Sequence, residues 1–241
     1  MKMKAGADAR SSRRRERRNT GAFRWRGGGR AARKAGCLTT LYLIRHAQSQ
    51  PQPDQAEPDW PLSAVGEDQA RGLGAVLRPL GIQRLYSSPY RRSRDTLAPF
   101  AAAAGLEVVI DEDLRERRIA AGWLSDFRDV WRRSWTDFAY ALEGGESSWT
   151  CRGRIAGAVE ALTARHPGET IGLGSHGNAI ALLVNYVDPA FGLHEATRVR
   201  TPEILKVVHD GARFTWDRSF SAGAAFDELA TDFRQTPGVI A

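Results

Sequence analysis

The stretch Leu41–Gln50, "LYLIRHAQSQ", joins a run of four apolar residues to an arginine and a histidine. The apolar run Leu41–Ile44 is typical of a buried strand. Neighbouring side chains of a strand point to opposite faces, so Arg45 and His46 can serve one site only if the strand ends at them. The small and polar residues that follow indicate such an end. Because parallel sheets bind ligands beyond the carboxyl ends of their strands, the stretch predicts a buried strand that ends at a ligand site.

The rest of the sequence alternates between short apolar runs and helix-like segments. Further strands are predicted at Leu85–Ser87, Val108–Ile110, Thr170–Gly174, Ile204–Val208 and Arg213–Trp216. Helices are predicted near 63–78, with Ser63 as N-cap, and near 91–103, 123–141, 148–165 and 177–186. Asp210-Gly211 is a hairpin-turn signal between the last two strands. The pattern predicts an α/β fold, a three-layer α/β/α sandwich with a mostly parallel central sheet and an antiparallel edge hairpin.

Charge is distributed unevenly along the chain. Residues 1–37 contain thirteen Lys and Arg residues and two acidic ones, which leaves 22 basic and 26 acidic residues for the rest. We therefore predict a disordered basic N-terminal extension at 1–37, one folded domain at 38–220 and a loosely attached C-terminal tail at 221–241. The extension is either a solvated segment or an arm that binds nucleic acid nonspecifically through its phosphates.

Composition also argues against several classes of protein. No stretch of eighteen apolar residues occurs, so we expect neither a transmembrane helix nor a membrane partner. No apolar segment follows the basic N-terminus to form a secretory signal. Cys37 and Cys151 are too few for a disulfide framework and lack metal-ligand spacing. These features predict a cytoplasmic protein.

Two other predicted strands also end in basic residues. Thr170–Ile180, "TIGLGSHGNAI", carries its strand into His176, flanked by glycines that permit a tight turn. Leu85–Leu97, "LYSSPYRRSRDTL", places Arg91 and Arg92 in the first turn of a helix, where cations are unfavourable unless an anion lies with them. Each motif alone is compatible with an ordinary surface. Three strand ends that carry His or Arg together predict a site for a phosphate-sized anion.

These motifs, with "LRER" at 114–117 and "GGES" at 144–147, resemble a known family. In order and approximate spacing they resemble the histidine phosphatase superfamily, the phosphoglycerate-mutase-like proteins with an Arg-His-Gly motif. The resemblance extends from about Leu41 to about Val208, and it makes 38–220 a catalytic domain. One departure is Ala47, which replaces the usual glycine. Its methyl group is tolerated if the backbone φ angle is negative, but it could crowd the phosphate pocket.

The resemblance implies roles for the basic residues. His46 would be the nucleophile that attacks phosphorus and forms a phosphohistidine intermediate. Arg45, Arg92 and His176 would neutralise charge on the transferring phosphoryl group. Arg92 is preferred to Arg91 because the family's arginine follows the second serine of the "SS" pair by four residues.

The resemblance also implies a proton donor and phosphate contacts. Glu116 stands in the family's Leu-x-Glu context, where it would protonate the leaving group and later activate water. Without the resemblance, Glu116 would be interpreted as a solvated charge. Ser49 and Asn178, beside the two histidines, are expected to contact phosphate. No carboxylate or histidine cluster suggests a metal, so we expect neither a metal nor another cofactor.

Two segments between the motifs favour hydrolysis over mutase chemistry. Gln50–Ser63 lacks the Asn-containing aromatic pattern of the mutases, and Gly144 follows Glu116 by only 28 positions, too few for the mutase insertion. We therefore predict a metal-independent histidine acid-type phosphatase, a phosphoric monoester hydrolase acting on a small phosphorylated metabolite or a phosphoprotein, including phosphohistidine. The alternatives are a phosphoglycerate-mutase-type phosphotransferase and a non-catalytic regulator that binds phosphate or nucleic acid.

Aromatic residues recur every four positions in the segment between these motifs. Trp123, Phe127, Trp131 and Trp135 predict one apolar stripe on the helix near 123–141. The stripe would pack against the domain, pack against a second copy in a homodimer, or form a substrate lid.

Overall fold

The computed structural model describes residues 38–122 and 124–232. The predictions for residues 1–37, Trp123 and the end of the C-terminal tail lie outside the described residues. The strands are β1 (Thr39–Arg45), β2 (Arg84–Ser87), β3 (Val108–Ile110), β4 (Thr170–Ser175), β5 (Glu203–His209) and β6 (Phe214–Trp216). The α-helices are α1 (Ala64–Leu77), α2 (Arg91–Ala104), α3 (Phe127–Thr136), α4 (Ser148–Arg165), α5 (Gly177–Val187), α6 (Leu193–Ala196) and α7 (Ala224–Leu229). Short 3-10 helices cover Glu57–Asp59, Arg78–Leu80 and Glu112–Leu114.

The strands form one sheet in the order β3-β2-β4-β1-β5-β6. Strands β3, β2, β4 and β1 are parallel to one another, whereas β5 is antiparallel to both β1 and β6. This topology confirms the predicted α/β fold with a mostly parallel sheet and an antiparallel edge hairpin. In the described part of the chain, no helix has both the length and the apolarity needed to cross a bilayer.

Alternating side chains of β1 divide the core into two layers. Leu41 and Leu43 pack on one face of the sheet, in a cluster that includes residues of α3, α4 and α5. Tyr42 and Ile44 pack on the other face with residues of α1, α2 and α7. Because a strand presents successive side chains to opposite faces, an uninterrupted apolar run is what a sheet covered by helices on both sides requires.

Three parallel strands end at the same level of the sheet. In their register, Arg45 of β1 lies beside Ser175 of β4, and Ser87 of β2 lies beside Gly174 of β4. Gly174 lets helix α2 pack closely on the sheet at this level, since an added Cβ would lie 2.7 Å from a methyl carbon of Leu97 on α2. One edge of the sheet therefore presents the residues that follow the three strands: His46, Ser88 and His176.

The aromatic helix is shorter than predicted. Helix α3 covers Phe127–Thr136 rather than 123–141, and Asp137 has an extended backbone. Trp131 and Trp135 are buried and Phe127 is partly buried, all against the core cluster that contains Leu41. The part of the stripe from Phe127 to Trp135 therefore packs against the domain, and the helix covers the turns that this part buries.

The predicted loose attachment of residues 221–241 is wrong for their first part. Ala224–Leu229 form α7, and Phe226 is 1% exposed in the cluster that also holds Ile44. Thr231 pairs with Thr201 through backbone hydrogen bonds in both directions, each 2.9 Å long. One buried aromatic side chain and this bridge hold the segment against the domain, a tertiary effect that its short sequence did not indicate.

Candidate functional site

His46 follows the last residue of β1 and is held in a defined tautomer. Its Nδ1 lies 2.7 Å from the carbonyl oxygen of Ala47, which can only accept, so Nδ1 carries the proton. Its Nε2 accepts a hydrogen bond from Nε of Arg92 at 3.2 Å. Burial, followed by the charges of Arg92 and Arg45, lowers the pKa of His46 well below 6.5. The ring is therefore neutral near pH 7, and the lone pair of Nε2 faces Arg92.

Arg45, the last residue of β1, is buried with its charge retained. Its Nη1 donates to the carbonyl oxygens of Val199 and Arg200, at 2.7 and 3.2 Å. Burial lowers the pKa of Arg45 to about 10, so the guanidinium stays protonated near pH 7. At Gly177, the first residue of α5, an added Cβ would lie 3.1 Å from Cζ of Arg45. Glycine there lets the guanidinium pack against the start of the helix.

Arg92 lies in the first turn of α2, 3% exposed and beside His46. Its Nη1 donates to the carbonyl oxygen of Glu57 at 2.7 Å, and its Nη2 to Oε1 of Glu57 at 2.8 Å. The rings of Tyr90 and Trp60 lie 4.9 and 5.6 Å from its Cζ. Arg91, by contrast, is exposed. The structure thus places Arg92, rather than its neighbour, next to the histidine.

Glu116 is tied to the amino-terminal end of α5 by backbone hydrogen bonds. Its Oε1 accepts from the N–H groups of Arg117 and Ala179, at 2.7 and 3.0 Å, and its Oε2 accepts from Asn178 at 3.2 Å. Burial and then the charge of Glu57 raise the pKa of Glu116 above its usual value, although the N–H groups of Arg117 and Asn178 and the charge of Arg92 act in the opposite direction. A carboxyl group in such an environment can change its protonation state during a reaction near neutral pH.

His176 follows β4 and lies behind His46, fully buried. Its Nε2 lies 2.7 Å from Oγ of Ser88, whereas its Nδ1 has no hydrogen-bond partner among the described residues. The ring centroids of His46 and Tyr90 lie 5.2 and 4.9 Å from that of His176. Burial and then the charge of Arg92 lower the pKa of His176 well below 6.5. This histidine is therefore neutral near pH 7 and packs against the nucleophile candidate.

A cavity of about 490 Å³ opens in front of these residues, within the size range of ligand sites. We call one part of it the phosphate end, formed by Arg45, His46, Arg92 and Glu116. We call another part the apolar wall, formed by Ile119, Leu124, Phe127, Trp131, Ala181 and Val199.

The predicted site residues do not all contact this cavity. Ser49 and Asn178 line it with the four residues of the phosphate end, but His176 does not. The side chain of Asn178 accepts a hydrogen bond from Nε1 of Trp131, which links α5 to the aromatic helix. In the described ranges, no group of three His, Cys, Asp or Glu side chains is placed to hold a metal ion.

Ala47 is accommodated without crowding the cavity. Its side chain is fully buried with Leu62 and Ala70, and Ala47 is not part of the cavity lining. Among the described residues, positive φ angles occur only at glycines, so the backbone of Ala47 does not need glycine. Its N–H donates to Oγ1 of Thr96 at 2.9 Å. The methyl group therefore points into a small apolar cluster.

Sequence reasoning missed Glu57, Ser88 and Tyr90. Ser88 belongs to the quoted "SS" pair, and its position at a strand end could have identified it. Glu57 lies in a proline-rich segment without periodicity, and its contact with Arg92 spans 35 residues. No local pattern indicates such a contact.

Comparisons with known proteins place these observations in a family. The profile of the histidine phosphatase superfamily (branch 1) matches residues 41–220. A probable phosphoglycerate mutase of Salmonella paratyphi B is 31% identical over 163 residues, which cover 62% of this chain and 75% of that protein.

Solved structures show the same fold. A structure named mycobacterial hydrolase 1 superposes with a TM-score of 0.63 at 25% identity, covering 75% of this chain and 97% of the other. A mycobacterial glucosyl-3-phosphoglycerate phosphatase in complex with inorganic phosphate has a TM-score of 0.62 at 24% identity, covering 78% and 98%. A phosphoglycerate mutase from Bacillus anthracis has a TM-score of 0.63 at 18% identity, covering 80% and 96%. The last two likenesses concern the fold alone.

Proposed function

This chain belongs to the histidine phosphatase superfamily, and from that premise we propose that it is a phosphohydrolase that forms a phosphohistidine on His46. The substrate is a phosphomonoester. One observation carries the proposal: the neutral His46 ring, with its proton on Nδ1 and its Nε2 lone pair beside a buried arginine at the cavity. A nucleophilic nitrogen next to fixed positive charge is what phosphoryl transfer to histidine needs.

In the first step, Nε2 of His46 attacks phosphorus and the bond from phosphorus to the leaving oxygen breaks. Arg45 and Arg92 neutralise the charge on the transferring phosphoryl oxygens. Arg92 must exchange its contacts with Glu57 for these oxygens and release Nε2 of His46, because in this structure its terminal nitrogens donate to Glu57 and its Nε donates to the lone pair that attacks. Glu116 donates a proton to the leaving oxygen, for which its raised pKa prepares it.

In the second step, water attacks the phosphorus of the phosphohistidine. Glu116, now ionised, accepts a proton from that water, while the bond from phosphorus to Nε2 breaks. Inorganic phosphate leaves and His46 returns to its neutral state. The Nδ1–H group donates to the carbonyl oxygen of Ala47 in both steps, so the ring needs no change of tautomer between them.

A phosphoglycerate-mutase-type transfer is the second candidate, because a relative at 31% identity carries that name. Both candidates share the first step and differ in what accepts the phosphoryl group. A carboxylate-bearing acceptor such as phosphoglycerate would need polar or cationic partners beyond the phosphate end. The side chains of the apolar wall offer few, which favours water as the acceptor, although the exposed Arg118 also lines the cavity.

The test combines hydrolysis with trapping of the intermediate. We expect the protein to hydrolyse p-nitrophenyl phosphate in EDTA and to carry an acid-labile ³²P label after rapid quenching with a labelled phosphomonoester. His46→Asn should abolish both, while His194→Asn, at an exposed histidine outside the cavity, should retain both. Circular dichroism checks that each variant is folded.

Equal hydrolysis by the wild type and His46→Asn would refute the mechanism. Inactivity of the wild type on all phosphomonoesters would instead favour a non-catalytic phosphate-binding protein. Transfer of the label to added phosphoglycerate, with little free phosphate, would favour the mutase reaction.

A further inference from the structure

We infer that the preferred substrate carries an uncharged, largely apolar leaving group, and that Glu57 selects against leaving groups with a second negative charge. This inference rests on the proposed function, because it concerns the part of the substrate beyond the phosphate that His46 accepts. Two independent features of the cavity carry it: the composition of the apolar wall, and the position of one carboxylate at the phosphate end.

The apolar wall offers hydrocarbon surface to the leaving group. Leu124 and Phe127 are partly buried against the main core cluster, and Ile119 and Val199 belong to that cluster. The polar group of this wall, the indole N–H of Trp131, already donates to Asn178. Hydroxyl or carboxylate groups that pack against such a wall lose hydrogen bonds to water without replacement, whereas alkyl or aryl groups are favoured there.

Glu57 places a negative charge next to the phosphate end. Its carboxylate lies 2.8 Å from Nη2 of Arg92. The side chain of Glu57 is 34% exposed while that of Arg92 is 4% exposed, so the carboxylate lies on the outer side of the pair. When Arg92 engages a phosphoryl group, this carboxylate remains near the leaving group. A second anion there would face a like charge, which binding sites use to reject partners.

The cations near the wall bear directly on this inference. Arg117 lines the cavity but is 2% exposed, with Nε and Nη1 donating to Glu146 and Ser134 at 2.8 and 2.6 Å. Its guanidinium is therefore occupied by hydrogen bonds within the domain. Arg118 also lines the cavity and is exposed, so it is the cation that a negatively charged leaving group could reach. A variant at Arg118 tests that competing arrangement.

Three primary alkyl phosphates separate charge from polarity with similar leaving alkoxides. Hexyl phosphate is apolar, glycerol 3-phosphate is polar and uncharged beyond its phosphate, and 3-phosphoglycerate adds a carboxylate. For the wild type we expect kcat/KM to fall in that order, with hexyl phosphate at least about 10-fold better than 3-phosphoglycerate.

Three variants separate the effect of the Glu57 charge from the effect of the apolar wall. Glu57→Gln should raise the ratio of kcat/KM for 3-phosphoglycerate to that for glycerol 3-phosphate by about 10-fold. Asp59→Asn is the matched control, since it removes the same charge two residues away, at an exposed position outside the cavity lining, and should leave the ratio unchanged. Leu124→Gln should reduce the preference for hexyl phosphate over glycerol 3-phosphate by about 5-fold.

The outcomes distinguish this inference from the proposed function. If the wild type hydrolyses all three compounds but prefers 3-phosphoglycerate, and Arg118→Gln removes that preference, the inference is overturned while the phosphohydrolase remains. If Glu57→Gln leaves the ratio of kcat/KM for 3-phosphoglycerate to that for glycerol 3-phosphate unchanged, Glu57 does not have the role assigned to it. If neither these compounds nor p-nitrophenyl phosphate are hydrolysed and no ³²P label forms, the proposed function is overturned, and the inference with it.

Discussion

The phosphate end and the apolar wall of the cavity are built from different kinds of structure. Arg45 and His46 are fixed at the end of a central strand, and their ring and guanidinium nitrogens bond to backbone oxygens. The wall takes Leu124 and Phe127 from a loop and a ten-residue helix, and both side chains are only partly buried, whereas its other four residues belong to the core cluster. The difference indicates that the sheet fixes the chemistry, while peripheral segments can change the substrate without disturbing it.

The largest expected effect is at the phosphate end. We expect Arg92→Gln to lower kcat for p-nitrophenyl phosphate by about 10³-fold, because it removes a buried positive charge beside the nitrogen that attacks. Steady-state kinetics measure this loss, and thermal unfolding verifies that the variant is folded.

The neighbouring arginine provides the matched control for this substitution. Arg91 is exposed and pairs with Asp95 at 3.2 Å, away from His46. Arg91→Gln should keep kcat within about 2-fold of the wild type, since exposed ion pairs contribute little. A comparable loss in both variants would show that the phosphate end does not depend on Arg92 specifically.

The two regions should also differ in how much their side chains contribute to the free energy of unfolding. Ile44 is fully buried in β1, one residue before Arg45, so Ile44→Ala should lower the free energy of unfolding by about 3 kcal/mol. Leu124→Ala, at the partly buried wall, should cost less than about 1.5 kcal/mol. Urea denaturation measures both values. Equal losses would mean that the wall is as much a part of the core as the strand is.

The sequence predicted the phosphate end much better than the wall, for a physical reason. Strand ends are local: an apolar run followed by Arg45-His46 or Ser175-His176 shows both the strand and the point where it stops. Parallel pairing then brings those ends together, so the sheet topology predicts that His46 and His176 are neighbours. The choice of Arg92 over Arg91 and the role of Glu116 came from the family resemblance.

The wall and Glu57 depend on contacts that no local pattern reports. Trp131 and Trp135 gave a correct stripe, but the helix is shorter than the apolar pattern, and Trp131 both packs in the core and lines the cavity. Glu57 reaches Arg92 from a segment with neither helical nor strand periodicity. The position of such a segment is set by its long-range contacts with the rest of the domain.

The two buried histidines should make the stability of the folded protein sensitive to acid. Burial lowers the pKa of both His46 and His176 well below 6.5 in the folded protein. Below about pH 6.5 the unfolded chain therefore takes up protons that the folded protein does not, and stability falls as pH falls. Each histidine contributes at most about 1.4 kcal/mol per pH unit in this window.

His176→Gln isolates one of these contributions. Free energies of unfolding measured between pH 6 and pH 5 should depend on pH less steeply in this variant, by at most about 1.4 kcal/mol per pH unit. The comparison is between slopes, so a constant loss of stability from the substitution itself does not affect it. Identical slopes in the two proteins would contradict a lowered pKa at His176.

The smallest expected effect concerns the alanine at the family's glycine position, which belongs to the fold rather than to the chemistry. The methyl group of Ala47 is fully buried with Leu62 and Ala70 and does not line the cavity. Ala47→Gly should therefore lower the free energy of unfolding by about 1 kcal/mol, through the lost methyl burial and the freer unfolded chain. We expect kcat and KM to stay within about 2-fold, because glycine keeps the N–H that bonds Thr96 and the carbonyl oxygen that bonds His46. A large gain in kcat would show that the methyl group does constrain the phosphate end.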